Sequence, residues 1–391
     1  IDSSVWGDTD WWDVIMDDWT PQIQSALSVR GGNEETQFYL SGQFLDQDAL
    51  YIGDAYGYKQ YNIRSNIDTR LSKNFKIGFD LAARITNKNA STTNTNGLIR
   101  NTFVQEPFKF PYFENGLIAS TPKGNPISRV NGDSGNNETK DKKFDSKFSF
   151  RWDLPFIIDG LYTSGYAAID FYTSTRRNFS KPFDRYRFDE PTGEYVNLKY
   201  ENGNNITLFE QYREELNKTF HMKLGYDTTF GKHAIASFIA YEQYEQKGKF
   251  FFASRQGLIS ENIPFLFSGS DENKNNGGSG FENARRNFFG KVNYGFDEKY
   301  LLDITVRYDG SANFAKDKRY GFFPAASIGW RISEEDFFKS KLITELKVRG
   351  SWGLLGNDRV DKFQFLQFYD IGNSYIFGED PIRTKGLTPG T

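Results

Sequence analysis

The 391-residue chain carries 48 Lys and Arg against 51 Asp and Glu, a net charge of −3, and nothing in that balance recommends a nucleic-acid partner. Aromatic residues reach 17%, with 36 Gly and no Cys, which excludes a disulfide framework, a thiolate nucleophile and Cys-ligated metal, and argues against disorder because so many rings can bury ample surface. No apolar run approaches the roughly 18 residues of a membrane helix, so helical membrane proteins are excluded and the composition favours strands.

Strict two-residue alternation recurs along the chain. Tyr61, Ile63, Ser65, Ile67, Thr69 and Leu71 interleave with Asn62, Arg64, Asn66, Asp68 and Arg70. Phe75 to Ile85 repeats the pattern, as do Phe144 to Leu154, Tyr300 to Tyr308 and Leu346 to Leu354. One apolar face and one wet face is the strand signal. It predicts strands near 22–31, 36–46, 61–71, 75–86, 144–154, 161–174, 219–230, 233–245, 288–296, 300–309, 322–333, 345–354 and 363–371. Many reach the 9–11 residues that a tilted membrane strand needs, against 5–6 in soluble sheets.

The connections alternate in length as well. Short ones fall at 32–35, 72–74, 155–160, 231–232 and 297–299, and long ones at 47–60, 87–143, 175–218 and 246–287. Later connections are intermediate. Short turns at one end and long loops at the other mark a membrane β-barrel. Aromatic residues at strand ends (Tyr300 and Tyr308, Phe322 and Trp330, Phe144 and Trp152) suit the headgroup level, where one side is greasy and the other wet. A soluble sandwich also alternates, so strand length and loop asymmetry decide between the two. Thirteen strands is an odd number, whereas bacterial single-chain barrels close with even numbers. With Ile1 at the start and Gly386-Leu387-Thr388-Pro389-Gly390-Thr391 at the end, the expectation is a partial barrel over 1–391, a piece of a longer protein.

Several motifs then resemble one family. Thr9-Asp10-Trp11-Trp12, with Asp13 and Ile15, is similar to the segment joining plug to barrel in SusC/RagA-type TonB-dependent outer-membrane transporters. Leu27-Ser28-Val29-Arg30-Gly31-Gly32, followed by Phe38-Tyr39-Leu40-Ser41-Gly42, resembles their first hairpin. Arg307-Tyr308-Asp309-Gly310-Ser311, Gly321-Phe322-Phe323-Pro324, Ser327-Ile328-Gly329-Trp330-Arg331 and Gly356-Asn357 form the most specific block, departing at Ala312, where a second Ser is common. The resemblance implies an all-β transmembrane antiparallel barrel of about 22 strands when complete, wide enough to hold a plug. It also implies bacterial outer-membrane import of oligosaccharides or peptides in Bacteroidota, a SusD-like surface lipoprotein, and TonB–ExbB–ExbD coupling through a plug absent from these residues.

Catalytic signals are missing. His221 and His233 are the only histidines, and no HExxH, GxSxG, Walker or GxGxxG pattern occurs, so no enzyme and no catalytic residue is expected. His221 falls on the polar side of its strand. Asp271, Asn273, Asn275, Ser279 and Glu282 have EF-hand-like oxygen spacing, with Asn276 where Gly is usual and no flanking helices predicted; a plain solvated loop is the favoured reading and a Ca²⁺ loop the alternative. Apart from that Ca²⁺ no cofactor is expected. Function is sought in the long loops, where rings stack on sugars or peptide side chains and Arg fixes hydroxyls or termini. The candidate substrate-binding residues are Tyr112, Phe113, Arg185, Tyr186 and Tyr195. An energised importer, a stand-alone receptor or binding barrel without lipoprotein, and an outer-membrane hydrolase are the three classes weighed. The importer is favoured, because the hydrolase would need a clustered acid–base set that the wet face lacks.

Overall fold

A computed structural model of the chain describes residues 7–198, 205–340, 342–360, 364–366, 369–375 and 384–389. Its main element is a 12-stranded, wholly antiparallel sheet. In chain order the strands are β1 (Gln22–Gly32), β2 (Thr36–Asp48), β3 (Gly57–Ser72), β4 (Phe75–Ser91), β5 (Gly135–Asp153) and β6 (Leu161–Ser180). A small loop hairpin follows, β7 (Tyr186–Asp189) with β8 (Glu194–Asn197). The sheet resumes with β9 (Thr207–Phe230), β10 (His233–Gln256), β11 (Asn275–Phe296), β12 (Tyr300–Ser311), β13 (Tyr320–Arg331) and β14 (Lys347–Gly353). Each strand pairs with its sequence neighbour, β6 with β9 across the hairpin, and the sheet is not closed on itself. No helix among the described residues is long and apolar enough to cross a membrane.

Register confirms a single apolar face. Leu27 pairs with Gly42, Gly42 with Ile63, Ile63 with Ala83, Ala83 with Phe144 and Phe144 with Phe171. Further along, Tyr241, Phe288, Tyr308 and Phe322 follow one another across four strands. This face is bare: Leu27 is 74% exposed and Ile239 66%. A continuous, uncovered apolar sheet face needs a cover, and on long antiparallel strands with a polar opposite face it is the pattern of a membrane barrel. On β5, β12 and β13 the paired rings Phe144 and Trp152, Tyr300 and Tyr308, and Phe322 and Trp330 stand eight positions apart. That is about 27 Å of strand, or roughly 20 Å of depth at a 40° tilt, close to the apolar band of a membrane barrel.

The short connections 33–35, 73–74, 154–160, 231–232 and 297–299, with the longer 332–346, lie at one end of the sheet, and 49–56, 92–134, 181–206, 257–274 and 312–319 lie at the other. Gly32, at φ 142°, makes the first tight turn, where a Cβ would fall 2.1 Å from the Thr36 carbonyl oxygen. Asn33 Oδ1 closes it by accepting from the Glu35 and Thr36 amides at 2.9 and 2.7 Å. Asp297 and Glu298 both adopt φ 54°, as a primed two-residue turn requires, and Lys232 pairs with Asp297 at 2.8 Å beside it. That ion pair holds the Asp297 carboxyl below its ordinary range.

Two expectations need correction. The strands run well into stretches assigned from sequence to long loops: β5 starts at Gly135, β6 ends at Ser180, β9 starts at Thr207, β10 reaches Gln256 and β11 starts at Asn275. Both faces are wet there, so pairing continues while alternation stops. The thirteenth strand, 363–371, lies partly outside the described residues (361–363 and 367–368). Its tail belongs to β15 (Tyr369–Tyr375), which pairs with β16 (Thr384–Pro389) in a separate two-stranded sheet.

Candidate ligand site at the long-loop end

The long loops are folded. Helix α1 (Trp11–Ile15) is capped by Asp10, whose carboxylate accepts from the Trp12 amide at 2.8 Å, and α2 (Thr95–Phe103) by Asn94, which accepts from the Gly97 amide at 2.7 Å. Together with the short α3 (Ile127–Val130) they enclose a core of Ile15, Tyr51, Leu98, Ile127 and Val130, all buried. Segments 8–21, 49–56 and 92–134 thereby become one cap. Asn125 staples it from inside: its amide donates to the Pro111 and Ala119 carbonyls at 2.8 and 2.9 Å and its oxygen accepts from the Ile127 amide at 3.0 Å. A second cluster of Phe179, Leu208 and Leu258 fastens loop 257–274 to the tips of β6 and β9.

The loop residues singled out by sequence meet in one place. Tyr112 bridges to Ile118, and next to it Ala119 bridges to Tyr186 of β7. The Tyr186 amide donates to the Ile118 carbonyl at 2.8 Å, and the Ser120 amide donates to the Tyr186 carbonyl at 2.7 Å. Phe113 meets Tyr195 of β8 edge-on at 4.9 Å, and Arg185 accepts at its carbonyl from the Leu198 amide at 2.8 Å. Tyr112 and Tyr195 keep 39% and 38% of their surface open. The hairpin is thus docked on loop 92–134 by strand-type bonds.

At the same end of the sheet, a polar cavity of about 310 Å³ lies between the cap and the tips of β6 and β9; none of the cluster residues lines it. Thr92, Thr93, Ser134, Asn178, Ser180 and Thr207 line it, with Phe183 and Phe209 as its apolar side. Its cations are engaged: Arg129 donates to Thr93 Oγ1 at 3.2 Å and Lys181 to Glu261 at 2.8 Å. Burial pushes the nearby Asp133 carboxyl above its ordinary range, opposed by Lys181. Phe209 stacks on Phe252 at 5.5 Å, both on the wet face of the wall. Both fall in the stretches 175–218 and 246–287 that the sequence assigns to loops, and no clean alternation marks them, since Phe250, Phe251 and Phe252 are consecutive.

The wet face lower down is a lattice of paired charges. Lys147 reaches Asp80 at 2.9 Å, Asn66 donates to the same carboxylate, and Arg151 lies 3.9 Å above the Tyr162 ring. Arg307 pairs with Asp309 and covers Phe289 at 4.6 Å. His221 is on this face as expected, stacked on Tyr166 at 5.1 Å; its Nδ1 is 3.6 Å from Glu242, beyond a hydrogen bond.

The Ca²⁺ loop does not survive. Asn275 and Glu282 both lie within β11, seven positions or about 23 Å apart, too far to share an ion. Glu282 pairs with Lys247 and Asp271 with Arg255, each at 2.8 Å. Asn273 sits in the turn before the strand. Gly277 and Gly248, which suggest a loop in sequence, lie in strands beneath the rings of Phe252 and Phe281, where a Cβ would come within 2.7 and 2.4 Å of ring carbon. Among the described residues no group of three His, Asp or Glu side chains could hold a metal ion.

The family model described as TonB dependent receptor-like, beta-barrel matches residues 83–354. TonB-dependent receptor P3 of Formosa agariphila is 27% identical over 97% of this chain, which covers 37% of that protein. TonB-dependent receptor SusC of Bacteroides thetaiotaomicron is 40% identical over 108 residues, 26% of this chain and 11% of SusC. The solved RagAB peptide importer superposes with a TM-score of 0.78 at 21% identity, covering 98% of this chain and 41% of that one; at that identity the match shows the fold. The chain therefore spans about two-fifths of the length of the relatives it matches from end to end.

Proposed function

The chain belongs to the TonB-dependent receptor β-barrel family, with SusC- and RagA-like relatives, and from that premise we propose that it forms part of the wall of an outer-membrane nutrient importer. The plug and closing strands would come from the rest of the protein, since an open sheet edge is untenable in lipid. In this reading the importer is energised through TonB and takes up an oligosaccharide or peptide together with a SusD-like surface lipoprotein. On this basis the protein transports rather than catalyses, in line with relatives that are TonB-dependent receptors.

The observation that carries the proposal is the folded cap at the long-loop end. It presents two partly exposed tyrosines and, between the cap and the tips of β6 and β9, a hydroxyl-lined cavity that opens among inward-facing residues of the wall. Neutral hydroxyls and an amide around an aromatic side suit a polyhydroxylated ligand better than a charged terminus, so an oligosaccharide is the favoured cargo. The structurally similar RagAB is a peptide importer, which keeps peptides as the second cargo.

The test is to extract the native full-length protein in mild detergent and identify what accompanies it. A stoichiometric surface lipoprotein carrying glycan or peptide is the expected result. A lone barrel would replace the paired importer by a stand-alone receptor. Once the cargo is known, Tyr112→Ala and Tyr195→Ala should each weaken its binding by about 1–3 kcal/mol while the barrel stays folded. Unchanged affinity in both would remove the cluster from the binding site.

A further inference from the structure

On the lipid-facing side, the position one step beyond each ring of the long-loop girdle also faces outward. Beyond Phe144 this is Lys142, beyond Phe220 it is Lys218, and beyond Phe288 it is Arg286. The three sit two strands apart, on β5, β9 and β11, about 10 Å across the sheet from one to the next. The register staggers them by four residues from Lys142 to Lys218 and by two from Lys218 to Arg286, so neighbouring positions are about 16 and 12 Å apart along a line oblique to the strands. All three are exposed, and no ion pair joins any of them to a described residue. Lys142 faces Ile85 and Thr173 across the ladders, and Arg286 faces Gln243 and Gly310. Lys218 faces Ile169 and Glu245, but Glu245 instead accepts from Gln243 Nε2 at 2.6 Å.

Their outward-facing neighbours farther from the membrane behave differently. Lys140 pairs with Glu138 at 2.7 Å, Lys247 with Glu282 at 2.8 Å and Lys249 with Glu214 at 3.1 Å. At the short-turn end, too, Lys232, Lys299 and Arg331 are matched by Asp297, Glu335 and Glu334. Cations left unmatched at the headgroup level, continuous with the lipid-facing band, have an anionic lipid as their complement.

We propose that Lys142, Lys218 and Arg286 form a binding row for phosphate-bearing lipid headgroups in the leaflet at the long-loop end. Each ammonium or guanidinium meets phosphate oxygens while the acyl chains run down the apolar face between the rings. The row rests on the outward face of the sheet and does not depend on the cargo.

The test titrates the full-length protein in detergent with acyl-labelled phosphatidylglycerol, and with phosphatidylcholine for comparison. Wild type is compared with Lys142→Gln/Lys218→Gln/Arg286→Gln and with Lys140→Gln/Lys247→Gln/Lys249→Gln, which changes net charge equally. Phosphatidylglycerol should bind about fivefold more weakly for each row charge removed, and on the order of a hundredfold more weakly for all three. The second triple variant should keep its preference for the anionic lipid. Equal affinity in wild type and the row variant overturns the proposal, and so does an equal loss in the second variant. If the row variant fails to fold, Lys218→Gln alone carries the test through its fivefold step.

Discussion

Placing an arginine at mid-depth on the apolar face tests the face assignment that every later inference uses. Val292 lies four positions from Phe288 and four from Phe296 on β11, and it faces outward, 43% exposed, between Ser237 and Ile304. Four residues are about 13 Å of strand, or some 10 Å of depth at the expected tilt, so Val292 falls near the bilayer midplane. Val292→Arg should therefore destabilise the folded protein by about 2–4 kcal/mol. Asn293, one residue on, faces the wet side opposite Ala236 and Asp303, and its Oδ1 has no hydrogen-bond partner to lose. Asn293→Arg gains a carboxylate neighbour and should stay within about 0.5 kcal/mol of wild type. The assay is urea unfolding of the full-length protein in phosphatidylcholine vesicles, read as the shift in midpoint at constant slope. Equal costs for the two variants, or the larger cost at Asn293, would mean that the apolar face is covered by protein, and the membrane reading would fall.

Two further predictions concern the cap. Ile127 is fully buried in its core, so Ile127→Ala should cost that region about 2–5 kcal/mol and speed proteolysis within 92–134, while the barrel's resistance to urea is unchanged. A barrel weakened to the same extent would show that cap and wall unfold as one unit. Asp133 has a carboxyl raised by burial, so the stability it contributes is complete below the ordinary carboxylate range and is lost as pH rises through the raised value. Asp133→Asn should slow hydrogen exchange across 127–134 at neutral pH and have no effect near pH 3, with rates corrected for intrinsic exchange. The same effect at both pH values would refute burial as the cause.

How much of this was legible depends on where lipid lies. Between the girdles one face meets hydrocarbon and the other water, so Tyr61–Leu71 and Phe75–Ile85 announce themselves by alternation. The observed register keeps Tyr61, Ile63 and Ile67 on the same side as Ile77, Phe79, Leu81, Ala83 and Ile85, up to a bulge at Leu71. Above the girdle that asymmetry ends. The stretch from Gly135 to Lys143 is as regular a strand as the rest of β5, yet its sequence is polar on both faces and reads as loop. The Ca²⁺ reading failed for a related reason: oxygen ligands at positions 1, 3 and 5 of a binding loop and polar residues on one side of a strand share the same two-residue spacing. The docking of the 186–197 hairpin on 92–134 was illegible in detail, because it is made by backbone bonds between segments roughly 70 residues apart, and no local pattern encodes those. What the sequence did offer was chemistry, an unusual density of rings and Arg in two loops.

The strand extensions give the cap its position. From Tyr241 at the girdle to Gln256, β10 continues for about 50 Å of strand, with charged residues outward (Glu245, Lys247, Lys249) and Phe250 and Phe252 inward. No lipid is assigned to that stretch, and its outer face is mostly polar, with Phe251 standing out at 55% exposed; its ion pairs are exposed ones, each worth little alone. Of its inward rings Phe252 is shielded by cross-strand neighbours, with Phe209 stacked on it and Gly277 beneath it, while Phe250 stays 39% exposed. A wall that keeps its hydrogen-bonded ladder this far into water is a rigid mount. It explains why the cap can hold a polar cavity against β6 and β9 with the same register that fixes the membrane band below. Mutations in the ladder of β10 above the girdle should therefore change the geometry of the cavity without touching it, whereas mutations in the cap core open it without moving the wall.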